Sequence, residues 1–321
     1  MKYLYILIII IIAPFYASSQ QTIIDEADIN TTTSLISEYL SPLGKSIGTG
    51  LNCGWWNTAK THKILGFDLS LSLNSVEIPN TDLYFNHHET IINNNNFTSD
   101  LTTNSTPTIL GNTNNATIIY KGSFSTNIEM PEGLNINNMF VPTLNLGIGI
   151  IKNTDIVVRY MPELKFKKYV KMQVFGGGIK HDILQYIPFA KKLPIDLSIM
   201  STYTNLSIKT NLPGLSNINI NCTAISNNLI FSKKISLITL FGGIGHNYTC
   251  SNLDIDSNVT LGNTISIQQN NIIETDFGKM HDAKLNIGAR IQIMLININA
   301  NYNYSLKGYN TISLGLSANL R

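Results

Sequence analysis

Most of the chain alternates between apolar and polar side chains with a period of two. From Phe67 the run reads Phe67, Asp68, Leu69, Ser70, Leu71, Ser72, Leu73, Asn74, apolar at every odd position. Side chains of a strand point alternately to its two faces, so this run has one greasy and one wet face. Leu144, Leu146, Ile148 and Ile150 repeat the pattern. The polar set Lys152, Asn153, Thr154 and Asp155 then turns the chain into Ile156, Val158 and Tyr160, which makes a hairpin. Similar strands are expected near residues 170–176, 195–203 and 218–224, with a less regular one at 237–244. The last third is the clearest: residues 285–293, 296–304 and 312–320 each carry an apolar side chain at every second position. Strands of about 9–11 residues have the length that a tilted strand needs to cross a bilayer.

The polar face separates a membrane barrel from a secreted β-sandwich, which alternates too. A soluble sheet exposes Lys, Glu and Arg, whereas Asn, Ser, Thr and Gly fill the polar face here. Only 13% of the residues are charged, against about 25% in an average soluble protein. The expected fold is therefore all-β: a transmembrane antiparallel β-barrel of about 12–14 strands, preceded by a short N-terminal helix. A net charge of +2 excludes the basic field of a nucleic-acid binder.

The chain begins with Met1-Lys2, an apolar stretch over residues 3–16, and the small residues Ala17, Ser18 and Ser19. That order is a secretory signal, expected over residues 1–19; export together with the barrel pattern points to the bacterial outer membrane. The apolar stretch is short for a transmembrane helix, and no Cys lies near the cleavage site to carry a lipid. Residues 20–43 are expected to be a helical segment able to plug the lumen, with Leu35, Ile36, Tyr39 and Leu40 on one face and an end at Ser41-Pro42. The barrel is assigned to residues 44–321. Residues 79–115, rich in Asn and Thr, read as a long solvent-exposed loop, and 181–194 as an interfacial turn of helix.

Motifs for chemistry are mostly missing. Gly44-Lys45-Ser46 resembles the end of a phosphate-binding loop but lacks the upstream glycine and follows a helix. No G-x-S-x-G or H-E-x-x-H occurs. His87-His88 with Glu89 reads as a solvated loop rather than a metal site, and the His181-Asp182 and His281-Asp282 steps point their two side chains to opposite faces. No catalytic residue, metal or cofactor is expected, and the chain is not expected to be an enzyme. The odd cysteine count (Cys53, Cys222, Cys250) fits no disulfide framework or zinc spacing. The cysteines read as buried or lipid-facing thiols, with a Cys222–Cys250 bridge as the alternative. Trp55, Trp56, Tyr160, Tyr186, Tyr203, Tyr302 and Tyr304 are expected in interfacial aromatic girdles.

Four charges interrupt the greasy strands: Asp68, Arg159, Lys284 and Arg290. Charge costs little beside lumen water and much beside lipid, so all four are expected to face the lumen. They are the candidates for solute selectivity or for docking the plug, with paired structural charges as the equal alternative.

The stretch Leu51 to Lys60 (LNCGWWNTAK), followed by His62-Lys63 and Gly66-Phe67-Asp68, is distinctive. So are Thr106 to Gly111 (TPTILG), Val158 to Pro162 (VRYMP) and Gly177 to Asp182 (GGIKHD). Together they resemble a family of uncharacterised exported β-barrel proteins of Bacteroidota, distantly similar to outer-membrane transporters of hydrophobic, fatty-acid-type solutes. The resemblance spans about residues 28–320. It implies an N-terminal segment in the lumen, a first strand within residues 44–65, and no assignable activity. The function expected is a passive channel or transporter for a small, hydrophobic solute, with the bilayer as partner. A structural or surface-interaction barrel with a filled lumen is the alternative.

Overall fold

The computed structural model describes residues 26–87, 97–99, 105–113, 117–121, 125–166, 170–187, 194–211, 217–256, 259–261, 265–267 and 273–320; the expected export signal lies outside them. Ten strands form one closed antiparallel barrel. The first five are β1 (Phe67–Glu77), β2 (Asn138–Ile150), β3 (Thr154–Phe166), β4 (Val170–Asp182) and β5 (Asp196–Asn211). The rest are β6 (Asn217–Ile235), β7 (Ile238–Asp256), β8 (Ile273–Ile293), β9 (Ile296–Ser305) and β10 (Thr311–Leu320). Each strand pairs with the next in sequence, and β10 closes on β1 from Phe67–Leu320 to Val76–Thr311. Closure removes the free edges that an open sheet would present.

Ten strands replace the twelve to fourteen expected. Short strands outside the barrel pair among themselves in three small sheets, such as Tyr84–Asn86 with Ser105–Pro107, within the stretch expected to be a polar loop, and Val259–Leu261 with Ile265–Ile267. No strand lies within 44–65, where the first was expected.

Two-residue turns at Ser236-Leu237 and Met294-Leu295 and the three-residue turn at 151–153 define a short-turn end. Lys152 (φ 56°), Ser236 (φ 56°) and Met294 (φ 54°) take the left-handed conformation that such tight hairpins demand. The long connections between β1 and β2 and between β7 and β8 leave the other end.

Toward the short turns the outer face is an apolar belt. Leu69, Leu71, Leu144, Leu146, Leu285, Ile287, Ile298, Leu314 and Leu316 all project outward and are exposed, Ile287 to 70%. A continuous belt of this kind is a lipid-facing surface and rules out the secreted sandwich, whose greasy face is inward. Further up, the pattern inverts. On β6 the outward residues change from Leu229 and Ile225 to Thr223, Asn221 and Asn219, while the inward ones change from Ser232, Asn228 and Ser226 to Ala224, Cys222, Ile220 and Ile218. The neighbouring strands switch alongside, with Phe175, Asn205 and Thr223 in one cross-strand row. Above this line the wall is a soluble-type barrel, polar outside and packed inside.

What it packs on is helix α1 (Glu26–Leu51). Leu35, Ile36, Tyr39, Leu40, Leu43, Ile47 and Leu51 are at most 4% exposed and join Val174, Leu206, Ile208, Ile220, Leu253 and Phe277 in one core. The helix runs ten residues past the expected stop, with Pro42 inside it. A proline costs an interior helix about 3 kcal/mol. Burying Leu43, Ile47 and Leu51 beyond it returns about 1.5–3 kcal/mol each, so packing overrides the stop signal. Small residues allow the fit: a Cβ added at Gly48 would stand 2.6 Å from Thr249 Cβ. One added at Gly278 (φ +61°) would stand 2.8 Å from Gly44 Cα. Among the described residues no helix is long and apolar enough to cross a membrane.

Candidate functional site: a plugged lumen and a seam in the wall

Residues 52–66 leave the end of α1, descend through the lumen and emerge at the short-turn end, where β1 starts. Backbone groups in a segment inside a barrel need partners, and the wall provides them side chain by side chain. Arg159, 1% exposed, donates from Nη1 to Leu51 O (2.5 Å), from Nη2 to Cys53 O (2.9 Å) and from Nε to Asn145 Oδ1 (2.7 Å). Its guanidinium carbon lies 3.9 Å from the centroid of the Trp55 ring. Lys284 Nζ donates to Asn52 O at 3.2 Å. Two cations thus meet the carbonyls at the negative end of α1, the arrangement that the helix dipole favours.

Lower down, Arg290 donates to Asn57 Oδ1 (2.9 Å) and Asn297 Oδ1 (2.9 Å). Ser198 Oγ donates to Ala59 O (2.6 Å), and Ala59 N donates to Ser232 Oγ (3.0 Å). Close to the short turns, buried Asp155 accepts from the backbone N (2.8 Å) and Nδ1 (3.0 Å) of His62. It also pairs with Lys180 Nζ at 2.9 Å. Asp68 Oδ1 lies 3.4 Å from His62 Nε2.

The four charges singled out from the sequence, Asp68, Arg159, Lys284 and Arg290, therefore all point inward onto residues 51–62. Asp155, Lys180 and Asn145 complete the set and were missed, although Asp155 is in phase with Arg159 two positions at a time. Trp55 and Trp56 do not belong to a girdle. Trp55 is 5% exposed beneath Arg159, and Trp56 packs edge-on against lumen-facing Phe241 (5.7 Å). The segment that carries them is lumen filling, not strand. The tyrosines 160, 186, 203, 302 and 304 are exposed, 40–64%. Cys222 and Cys250 cannot bridge: Cys222 opposes Ser251 and Cys250 opposes Thr223, so the two thiols point through opposite faces of the wall.

The upper mouth is covered as well. Ile109 and Leu110 in the β1–β2 connection are fully buried, Ile109 N donates to Tyr39 O (3.0 Å), and Tyr39 Oη donates to Glu132 O (2.9 Å). Lys45 pairs with Asp82 (2.8 Å), which also accepts from Tyr309 Oη (2.5 Å). Part of the loop expected to be solvent-exposed is thus a lid over α1. Its His87 is buried against Thr106 (2.9 Å), while His88, Glu89 and 93–96 lie outside the described residues. In the expected interfacial turn, Leu184–Tyr186 form one 3-10 turn, and 188–193 lie outside.

Two small spaces lie in the lumen beside the plug. A polar cavity of about 20 Å³ between Trp56, His62, Asp68 and Arg290 has room for one or two waters. An apolar recess of about 30 Å³ lies between Ile47 and Leu51 of the plug and Phe140, Pro142, Met161 and Val174 of the wall. It coincides with a break in the barrel. β2 and β3 pair only from Ile150–Thr154 to Asn145–Arg159; among the described residues, 138–144 and 160–166 share no rungs. Pro142 and Pro162 stand in these stretches, and β3 bulges between Met161 and Leu164 against β4. Prolines cannot donate to a ladder, and bulges bend a strand away from its neighbour.

Fold and interior together define a plugged ten-stranded β-barrel of the outer-membrane type. Residues 1–320 match a family of unknown function (DUF6588), and the chain belongs to that family. No curated protein matches it. Among solved structures it is similar to the translocator domain of the autotransporter NalP from Neisseria meningitidis, with 10% identity, 92% of this chain and 99% of that one covered, and a TM-score of 0.30. It is also similar to the attachment invasion locus protein Ail of Yersinia pestis (8% identity, 80% and 98% covered, TM-score 0.22). A further likeness is to the monoaromatic hydrocarbon channel CymD (7%, 86% and 96%, TM-score 0.18). The assignment of the fold rests on the closed strand ladder and not on these likenesses.

Proposed function

We propose that the protein is an outer-membrane transporter that admits a small hydrophobic solute sideways, through the seam between β2 and β3, and not along an open pore. One observation carries this reading: the barrel wall loses its ladder where an apolar recess reaches the plug. An aqueous porin needs a wet continuous lumen, whereas here α1 and residues 52–66 fill it. An apolar molecule dissolved in the belt would reach Pro142 and Met161 without crossing water, and would touch Ile47 and Leu51 on arrival. The plug is held by charge-assisted hydrogen bonds to its carbonyls, so its release would open the path toward the short-turn end. By the usual disposition of such barrels, short turns lie in the periplasm and long connections outside.

The test uses the full-length barrel in nanodiscs and the apolar fluorophore N-phenyl-1-naphthylamine. Saturable binding that is lost in Val174→Trp, which fills the recess, supports the reading. Equal binding by wild type and variant, or none by either, favours the alternative: a filled structural barrel that presents its loops.

A further inference from the structure

We infer that the outer wall above the apolar belt carries a binding site for phosphate groups of the surface glycolipid around the barrel. The site is a row of lysines on three adjacent strands. Lys165 on β3 lies directly opposite Lys171 on β4, and Lys171 lies directly opposite Lys209 on β5. All three face outward and are exposed, Lys165 to 68% and Lys171 to 53% of their side chains. Like charges placed directly across a ladder destabilise a sheet. The only acid paired with them among the described residues is Glu163, whose Oε1 stands 3.7 Å from both Lys165 and Lys171 and is itself exposed. One half-exposed carboxylate leaves the row with net positive charge in a chain that carries few charges at all.

Its height fits one class of ligand. The apolar outer face of β4 ends at Phe175, four residues below Lys171, and that of β5 ends at Tyr203, six below Lys209. At about 3.3 Å per residue and a tilt of about 40°, the row stands about 10–15 Å above the belt. That is the layer of phosphorylated sugars in a glycolipid headgroup at the long-loop side, beyond the depth of the acyl chains. Three ammonium groups along one edge suit a multiply phosphorylated headgroup better than a carboxylate or a zwitterion. The site rests on strand register and on the outward disposition of the long connections proposed above, and it does not need the seam.

The full-length barrel in phosphatidylcholine nanodiscs is titrated with bisphosphorylated lipid A and with its dephosphorylated form. The triple variant Lys165→Gln/Lys171→Gln/Lys209→Gln is compared with Lys233→Gln/Lys234→Gln at the short-turn end. At about fivefold per lysine near an anionic layer, the triple variant should bind the phosphorylated lipid about 100-fold more weakly, and the control pair should not change. Heat-dependent mobility on gels confirms that both variants remain closed barrels. Equal binding of the two lipid forms, or no loss in the triple variant, overturns the site. Inorganic pyrophosphate is the third arm: weak competition supports a lipid-borne phosphate, and an affinity equal to that of lipid A overturns the glycolipid assignment.

Discussion

Replacing Arg159 by Met keeps most of the side-chain volume and removes the cation that holds the end of α1. Leu51 O and Cys53 O lose their charged donor in a position closed to water, since Arg159 is 1% exposed. A buried acceptor left unsatisfied costs about 1–3 kcal/mol, and the favourable charge at the helix terminus is worth up to about 2 kcal/mol more. Lys284 still donates to Asn52 O, so we take about 3–4 kcal/mol for the docking of the plug. At about 1.4 kcal/mol per tenfold, the population with the plug displaced rises between about 100-fold and 1000-fold. Cys53 reports that event directly, because it is a free thiol 3% exposed beside the lost contact. In a Cys222→Ala/Cys250→Ala background, a water-soluble maleimide should label Cys53 faster by that factor in Arg159→Met, with the closed barrel still evident from heat-dependent gel mobility. Equal labelling rates in an intact barrel would refute the claim that Arg159 docks the plug.

Deleting residues 26–51 should turn a silent barrel into one with stepwise conductance in planar bilayers; a deletion variant that folds and stays silent would mean that residues 52–66 alone seal the lumen. Gly278→Ala forces a side chain into a left-handed position against the α1 backbone, at about 1–2 kcal/mol for the conformation and about 1–3 for the clash. It should lower the temperature of the gel-mobility transition, and an unchanged transition would count against this packing. At the lid, burial first and then the Asp82 carboxylate push the Tyr309 phenol upward from its ordinary value of 10.0. Burial and Glu132 act likewise on Tyr39. A raised pKa keeps the neutral form in the folded state, so stability is complete below about pH 10 and falls above it as the unfolded chain ionises. Melting followed from pH 8 to 11.5 should show that fall, shallower in Tyr309→Phe; identical slopes would remove the lid tyrosine from the account.

The belt was legible because lipid contact demands strict alternation, as Phe67–Leu73 and Ile312–Leu316 show. The lumen charges were legible for the same reason: Arg159 or Lys284 on a strand of that phase has only one tolerable face. The strand number was less so, since alternation marks strands without saying which close the cylinder, and residues 44–65, expected to hold the first strand, fill the lumen instead. Residues 218–224 alternate like the membrane strands, yet their apolar positions face inward. Their greasy side packs on α1, and only the change of phase between Ala224 and Ile225 hints at it. The length of α1 was hidden by Pro42, whose local signal is overridden by burial inside a cylinder. The docking partners Asp155 and Lys180 look like turn and strand-end residues until residues 60–62 are brought past them. The seam has no signature in hydrophobicity at all; its only trace is a proline in each of two neighbouring strands.

The central claim is that an apolar solute enters between β2 and β3. Cysteines at Leu144 and Tyr160, on the two sides of the seam just above its last rung, are joined by a reducible cross-linker in the Cys222→Ala/Cys250→Ala background. Uptake of N-phenyl-1-naphthylamine into proteoliposomes is then followed before and after reduction. The account predicts uptake that stops on cross-linking and returns on reduction. Uptake of the same rate through the sealed wall would contradict it.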